Sequence, residues 1–202
     1  MIDNRKRIRM PEGNIVRGLF RLARGDAGGV SEFGNTTRAF SASIAPLLAF
    51  PIVGAALFGI AGHWMLAGLM LASRICGVLL QPVITEFGAR RANSSATWLM
   101  TSTALNWSVW LVFPLILIGI LITNGLITLG LSEPTAVGVS FASILLYMFW
   151  IQWFILRTGL RLSVLGALTL LIAMNVAIAV VYIAPYVLHP ELITLTLHPD
   201  AK

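Results

Sequence analysis

Residues 98–123 read WLMTSTALNWSVWLVFPLILIGILIT, and none of them is charged. As an α-helix this stretch would be about 39 Å long, which exceeds the roughly 30 Å of a bilayer's hydrocarbon core. A membrane interior offers no water to backbone N–H and C=O groups, so a chain that crosses it as a single segment does so as a helix. The stretch therefore predicts a transmembrane helix.

The composition of the whole chain also indicates a membrane protein. Of its 202 residues, 57% are hydrophobic and only 11% are charged, whereas soluble domains average about 25% charged residues. Four further apolar stretches are long enough to cross a bilayer. The five predicted spans are residues 39–61, 64–85, 98–123, 136–156 and 162–187. The expected fold is all-α, a polytopic membrane helix bundle with five transmembrane helices.

The positive charges predict how the bundle is oriented. Lys and Arg residues concentrate in the cytoplasmic loops of membrane proteins. Of the 14 Lys and Arg residues, all but Arg74 and Lys202 precede span one or lie between spans two and three or spans four and five. A five-span topology puts these segments on one side of the membrane. We expect a cytoplasmic N-terminus and an outer C-terminus, in a bacterial inner (cytoplasmic) membrane.

A basic amphipathic helix is predicted ahead of the first span. In NIVRGLFRLARGD, residues 14–26, the apolar side chains share one side of a helix and the arginines share the other. Helices of this kind lie in the membrane interface, with their basic residues against anionic headgroups. Packing on a partner subunit is the alternative. The residues expected at the lipid interface are Arg17, Leu19, Phe20, Arg21 and Arg24.

The predicted chain has three parts. Residues 1–38 form a cytoplasmic basic segment that contains the amphipathic helix, residues 39–188 form the five-helix transmembrane domain, and residues 189–202 form an outer-side tail. Asn35 and Thr36 are expected to cap the first span. Prolines inside the spans predict bends; they are Pro46, Pro51, Pro82, Pro114 and Pro185.

Arg74 is the one charged residue at the centre of a predicted span. Insertion scales give an arginine at this depth a cost of about 2.5–3.5 kcal/mol. It is expected to point into the bundle or a subunit contact, where it binds an anion or is held by carbonyls and amides of neighbouring spans. The amides in question belong to Asn106, Asn124, Gln152 and Asn175. Arg74, Asn106 and Asn175 are the intramembrane polar residues of the candidate site.

Several classes of chemistry are not expected. The predicted spans contain no histidine and Cys76 is the only cysteine, so we expect neither a metal site nor a cofactor such as haem. No glycine-rich nucleotide loop, zinc-protease helix or nucleophile motif occurs in the sequence. The chain is therefore not expected to be an enzyme. The basic residues lie beside apolar runs, where membrane orientation explains them, so no nucleic-acid partner is expected.

Residues 147–171 read YMFWIQWFILRTGLRLSVLGALTLL, in which a span runs into a Gly-Leu-x-x-Ser turn before an alanine-rich last span. With the basic N-terminal segment and the five-span layout, this stretch resembles the Yip-domain family of small five-span membrane proteins. The resemblance implies a membrane role, since eukaryotic members interact with Rab-type GTPases and shape trafficking membranes. Their short acidic, tyrosine-containing motif has no counterpart here, so no site residues follow from the resemblance.

Two functions of different class fit these observations. The first is a non-enzymatic integral membrane scaffold or accessory subunit that binds anionic lipids and a protein partner, or a second copy of itself. The second is a small transporter component that holds an anion at Arg74. Five spans are few for a complete secondary transporter, unless it forms a dimer.

Overall fold

The computed structural model describes residues 13–188. Within that range five helices are long and apolar enough to cross a membrane, and no strand occurs there. The predicted multi-pass helical fold is thus confirmed. The predicted outer-side tail and the first 12 residues of the basic segment lie outside the described residues. The five helices are Thr37–Ile60, Trp64–Arg91, Ser95–Thr128, Glu133–Gly159 and Val164–Leu188.

The α-helices are numbered here in chain order. Short 3-10 turns occur at Ala27–Glu32, Ser95–Thr97 and Val109–Leu111, and the last of these divides the third span into α4 and α5. The helices are α1 (Ile15–Ala23), α2 (Thr37–Ile60), α3 (Trp64–Arg91), α4 (Trp98–Ser108), α5 (Val112–Thr128), α6 (Glu133–Gly159) and α7 (Val164–Leu188).

Helix α3 continues beyond the predicted end of the second span, through residues that we expected to form a loop. Arg90 Nη2 lies 2.6 Å from Glu86 Oε1, an ion pair at the i,i+4 spacing that supports a helical turn. Polar residues after an apolar run can therefore extend a helix past the membrane surface, and hydropathy alone does not mark where such a helix ends.

The two residues predicted to cap the first span have different roles. Thr36 is the cap of α2, because its Oγ1 accepts a hydrogen bond from the Ala39 N–H at 3.2 Å. Asn35 instead donates from Nδ2 to the Ala96 carbonyl at 2.7 Å and accepts from the Met100 N–H at 3.2 Å. Asn35 therefore ties the N-terminal segment to the start of α4.

Helix α4 lies at the centre of the bundle and is buried from Thr101 to Asn106. Helices α1, α2, α3 and α6 pack around it. After Ser108 the span passes through the 3-10 turn and continues as α5, which packs mainly on α6. Pro114 is in the first turn of α5. Its ring cannot accommodate the carbonyl four residues earlier in a regular helix, which explains the break. The other predicted bends, at Pro46, Pro51, Pro82 and Pro185, lie inside continuous helices.

The buried core lies towards one end of the bundle. At that end the turn before α4 meets the turn after α6: Ser94 Oγ donates to the Leu160 carbonyl and Thr97 Oγ1 to the Gly159 carbonyl, both at 2.8 Å. The same end carries Arg91 and Arg157 on exposed positions. The opposite halves of the helices expose many large apolar side chains. Such surfaces suit a lipid environment and not water.

Candidate functional site

The N-terminal segment, residues 13–36, packs against the flank of the bundle. Leu22 is fully buried, and it shares one apolar cluster with Phe33 of the same segment, Leu105 of α4 and Ile151 of α6. Leu19 packs against this cluster and is partly buried. The apolar side of α1 therefore lies mostly against the protein's own helices, and the segment is part of the bundle's structure.

Two contacts with α6 fix the end of α1. The Tyr147 hydroxyl donates to the Ala23 carbonyl at 2.6 Å, which satisfies one of the free carbonyls that every helix end presents. Gly25 follows with φ of +74°, and a Cβ there would meet the ring of Trp150. Only glycine combines a positive φ with such a close approach at little cost. Tyr147 and Trp150 of α6 thus both contact the turn that ends α1.

An ionic cluster joins α1 to the turn that follows it. Arg21 Nε lies 2.7 Å from Asp26 Oδ2, and Arg21 Nη1 lies 2.7 Å from Glu32 Oε1. Arg17 Nε is 3.4 Å from the same Glu32 oxygen. The hydrogen bond from Arg21 lowers the pKa of Asp26, helped by the Gly28 N–H. The hydrogen bond to Asp26 in turn raises the pKa of Arg21. The lowered carboxyl pKa means that this pair persists at neutral pH and is lost only as acid protonates Asp26.

The residues predicted at the lipid interface divide into two groups. Leu19 and Arg21 face the protein, through the apolar cluster and the ionic cluster. Phe20 is exposed, and the Arg24 guanidinium carbon lies 5.5 Å from the centroid of its ring. Arg17 is largely exposed but pairs with Glu32. The surface that α1 presents outwards is thus smaller than its hydrophobic pattern predicts.

A cleft separates the N-terminal segment from the first half of α2 and from α4. Its volume is about 590 Å³, within the range of roughly 300–1,000 Å³ typical of ligand sites. Among residues 13–188, both polar and apolar side chains line it, and none of them is acidic. The polar lining residues are Ser31, Asn35, Thr36, Arg38 and Thr103; the large apolar ones are Ile15, Phe33, Met100 and Trp107.

Arg74 lies on the surface of the bundle, in a shallow groove between α3 and α7. Its guanidinium carbon is 4.6 Å from the centroid of the Tyr182 ring, a cation–π distance. Within residues 13–188 it forms no salt bridge and no side-chain hydrogen bond. The amides of Asn106, Gln152 and Asn175, which were expected to hold Arg74, bond elsewhere. The structure thus brings Arg74 together with an aromatic ring and not with an amide.

Asn106 and Asn175 each link neighbouring helices. Asn106 Nδ2 donates to Ser43 Oγ of α2 at 2.9 Å, and Gln81 Nε2 of α3 donates to Asn106 Oδ1 at 3.3 Å. Asn175 Nδ2 donates to Gln152 Oε1 of α6 at 3.1 Å. Polar side chains bonded across helices act as specific contacts inside membrane bundles. Both residues therefore hold the bundle together, and neither lines the cleft.

Several residues that shape this region were not among those predicted. Asp26 and Glu32 were not recognised as partners of the arginines, nor Tyr147 as the hydrogen-bond donor to α1. A local signal existed for Asp26, since an aspartate before Ala-Gly-Gly is typical of a turn, and its side chain accepts from the Gly28 N–H at 2.8 Å. In the described part of the chain, no group of three or more His, Cys, Asp or Glu residues is placed to hold a metal ion.

No known protein family, curated protein or solved structure matches the chain. The stretch that carries the Yip resemblance, residues 147–171, forms the second half of α6 and the start of α7. It contributes Ile151, Ile155 and Leu171 to the buried cluster. Packing alone thus accounts for many of its apolar positions.

Proposed function

We propose that this protein is a non-enzymatic scaffold or accessory subunit of a bacterial inner membrane, which binds anionic lipid and a protein partner. The observation that carries the proposal is the position of α5. Only 6% of the most apolar 18-residue stretch of the third span is buried within the protein, and α5 packs mainly on α6. A transmembrane helix held on one side leaves its other sides to lipid or to a helix of another protein.

The N-terminal segment supports the lipid part of this proposal. Tyr147 precedes the end of α6 by about 18 Å of helix, and α6, at about 40 Å, is longer than the roughly 30 Å hydrocarbon core. If the excess length of about 10 Å projects into the cytoplasm, the end of α1 lies about 8 Å below the acyl boundary, which is within the depth of roughly 5–10 Å typical of interfacial helices. Exposed Phe20 beside Arg24 is a suitable pair for that depth, because the ring contacts acyl chains and the guanidinium contacts phosphate.

The position of Arg74 favours a scaffold over a transporter component. A substrate-binding arginine in a transporter is expected among the helices, near the membrane midplane. Arg74 instead lines a groove on the outside of α3 and α7. Arginines that stack on an aromatic ring at such a surface extend their charged ends towards water along an apolar wall.

The partner is tested by cross-linking in intact membranes. A photo-crosslinking residue at Leu121 of α5, which is 72% exposed, is expected to give a discrete protein adduct. The same residue at Val180 of α7, which is 61% exposed, serves as the control and is expected to react with lipid. An adduct of twice the chain mass would identify a second copy as the partner. Lipid adducts alone at both positions would contradict a protein partner on α5.

The orientation is tested by cysteine labelling. In a Cys76→Ser background, Ser95→Cys is expected to react only from the cytoplasmic side and Ser132→Cys only from the outer side. Both residues are exposed in turns at opposite ends of the helices. Ser95 is a better position than its neighbour Ser94, whose hydroxyl is bonded to Leu160. Reactivity in the reverse pattern would invert the topology that the charges predict.

A further inference from the structure

The cleft beside the N-terminal segment is oriented along the membrane normal. Helices α2 and α4 both run into the bilayer from this end of the bundle. Ala42 follows Arg38 by one turn, about 6 Å deeper, and Trp107 follows Met100 by about 10 Å. All four residues line the cleft. The polar end of the cleft, with Thr36 and Arg38, therefore lies at the membrane surface, and the end with Ala42 and Trp107 lies in the hydrocarbon region. Thr103 also lines this deeper part, but its hydroxyl donates to the Leu99 carbonyl of its own helix at 2.7 Å. The order of the two ends is the same as that of the headgroup and acyl chains of a phospholipid.

The polar end offers donors suited to a phosphate. Arg38 has no carboxylate partner within residues 13–188, and its guanidinium carries five N–H donors. Thr36 Oγ1 accepts from the Ala39 N–H, which leaves its hydroxyl hydrogen available. The first turn of α2 adds free backbone N–H groups and the positive end of the helix dipole. The polar end of the cleft thus contains three kinds of donor: the Arg38 guanidinium, the Thr36 hydroxyl and the N-terminus of α2.

We propose that this cleft binds one anionic phospholipid of the cytoplasmic leaflet. Its phosphate contacts Arg38 and Thr36, and an acyl chain runs along Ile15, Ala42 and Trp107. The described lining residues supply a guanidinium for a negative headgroup and no carboxylate to pair with the quaternary amine of a zwitterionic one. This inference rests on the proposed lipid binding and turns it from a general surface property into a site with one-to-one stoichiometry.

Native mass spectrometry of the full-length protein in detergent tests the site, with phosphatidylglycerol and phosphatidylcholine as the two probes. The parent protein is expected to retain one phosphatidylglycerol under activation that strips phosphatidylcholine. Arg38→Gln is expected to weaken that retention about tenfold, the loss that one charge-assisted hydrogen bond represents. Arg157→Gln removes an exposed charge from the same end of the bundle and is expected to leave retention unchanged.

A steric pair of variants separates the cleft from the general lipid surface. Ala42→Trp fills the apolar end and is expected to abolish retention. Ala45→Trp, at an exposed position on α2 outside the cleft, is expected to have no effect. Free glycerol phosphate is not expected to displace the lipid, because it lacks the acyl chain; displacement would indicate a soluble phosphate ligand instead.

Several outcomes would overturn this inference. Equal retention of the two lipids, or equal effects of Arg38→Gln and Arg157→Gln, would show only lipid that surrounds the bundle, and the proposed scaffold function would stand. Lipid retention that emerges only after removal of residues 1–12 would show that the chain itself fills the cleft. Failure of the proposed function would be seen independently, as a lack of protein adducts at Leu121.

Discussion

Leu22→Asp is expected to release the N-terminal segment from the bundle. The Leu22 side chain is 0% exposed and lies in the apolar cluster that joins α1 to α4 and α6. Removing a buried leucine side chain costs about 2–5 kcal/mol in soluble cores, and an unpaired carboxylate in the same place adds a desolvation cost. We expect a clear fall in thermal stability in detergent, and rapid trypsin cleavage after the arginines of α1.

The matched control is Phe20→Asp on the same helix. Phe20 is 62% exposed, so the same substitution is expected to leave both the melting temperature and the trypsin pattern close to those of the parent. Its effect should appear instead as weaker binding of the segment to anionic vesicles, because the apolar contact with lipid is lost. Equal destabilisation by both variants would show that α1 does not pack on the bundle through Leu22.

Asn106→Leu is expected to loosen the contact between three helices. Asn106 is 1% exposed, and its amide joins Ser43 of α2 to Gln81 of α3. Leucine has a similar size but leaves the Gln81 amide without this partner, at about 1–3 kcal/mol for an orphaned group. The Ser43 hydroxyl loses a donor but still donates to the Phe40 carbonyl at 2.6 Å. The measurement is thermal unfolding in detergent, in which we expect a lower transition temperature.

Two further variants make this result specific. Asn124→Leu changes the same residue type at an exposed position of α5 and is expected to be nearly neutral. The double variant Ser43→Ala with Asn106→Leu is expected to lose less stability than the sum of the two single variants, since one shared hydrogen bond is removed only once. Strict additivity would contradict a direct bond between the two side chains.

Residues 147–171 and the N-terminal segment show the limits of sequence patterns in this chain. In residues 147–171 the sequence pattern predicts a span and a turn. It does not predict that this stretch is part of the surface against which α1 packs. The arc of apolar residues on α1 was expected to face lipid or a partner subunit, whereas Leu22 of that arc is buried in the chain's own bundle. Hydrophobicity does not distinguish acyl chains from another helix as the covering material, because both are equally apolar.

What the sequence determined by itself is the number and order of the spans. A bilayer requires long apolar helices whose backbone groups are satisfied internally. Because that requirement concerns each helix separately, residues 98–123 and the four other apolar stretches each predict a span without reference to the rest of the chain. The cap at Thr36 and the break before Pro114 have local causes as well.

Only the tertiary structure decided which residues meet. Arg21 pairs with Glu32, Tyr147 bonds to Ala23, and Asn106 bonds to Ser43 across a separation of 63 residues. Arg74 lies against Tyr182 on the outside of the bundle instead of among polar side chains within it. These contacts depend on how each helix is rotated about its axis and on which neighbour it packs against. Inside a membrane those choices follow from side-chain shape and a few hydrogen bonds, neither of which leaves a periodic pattern along the chain.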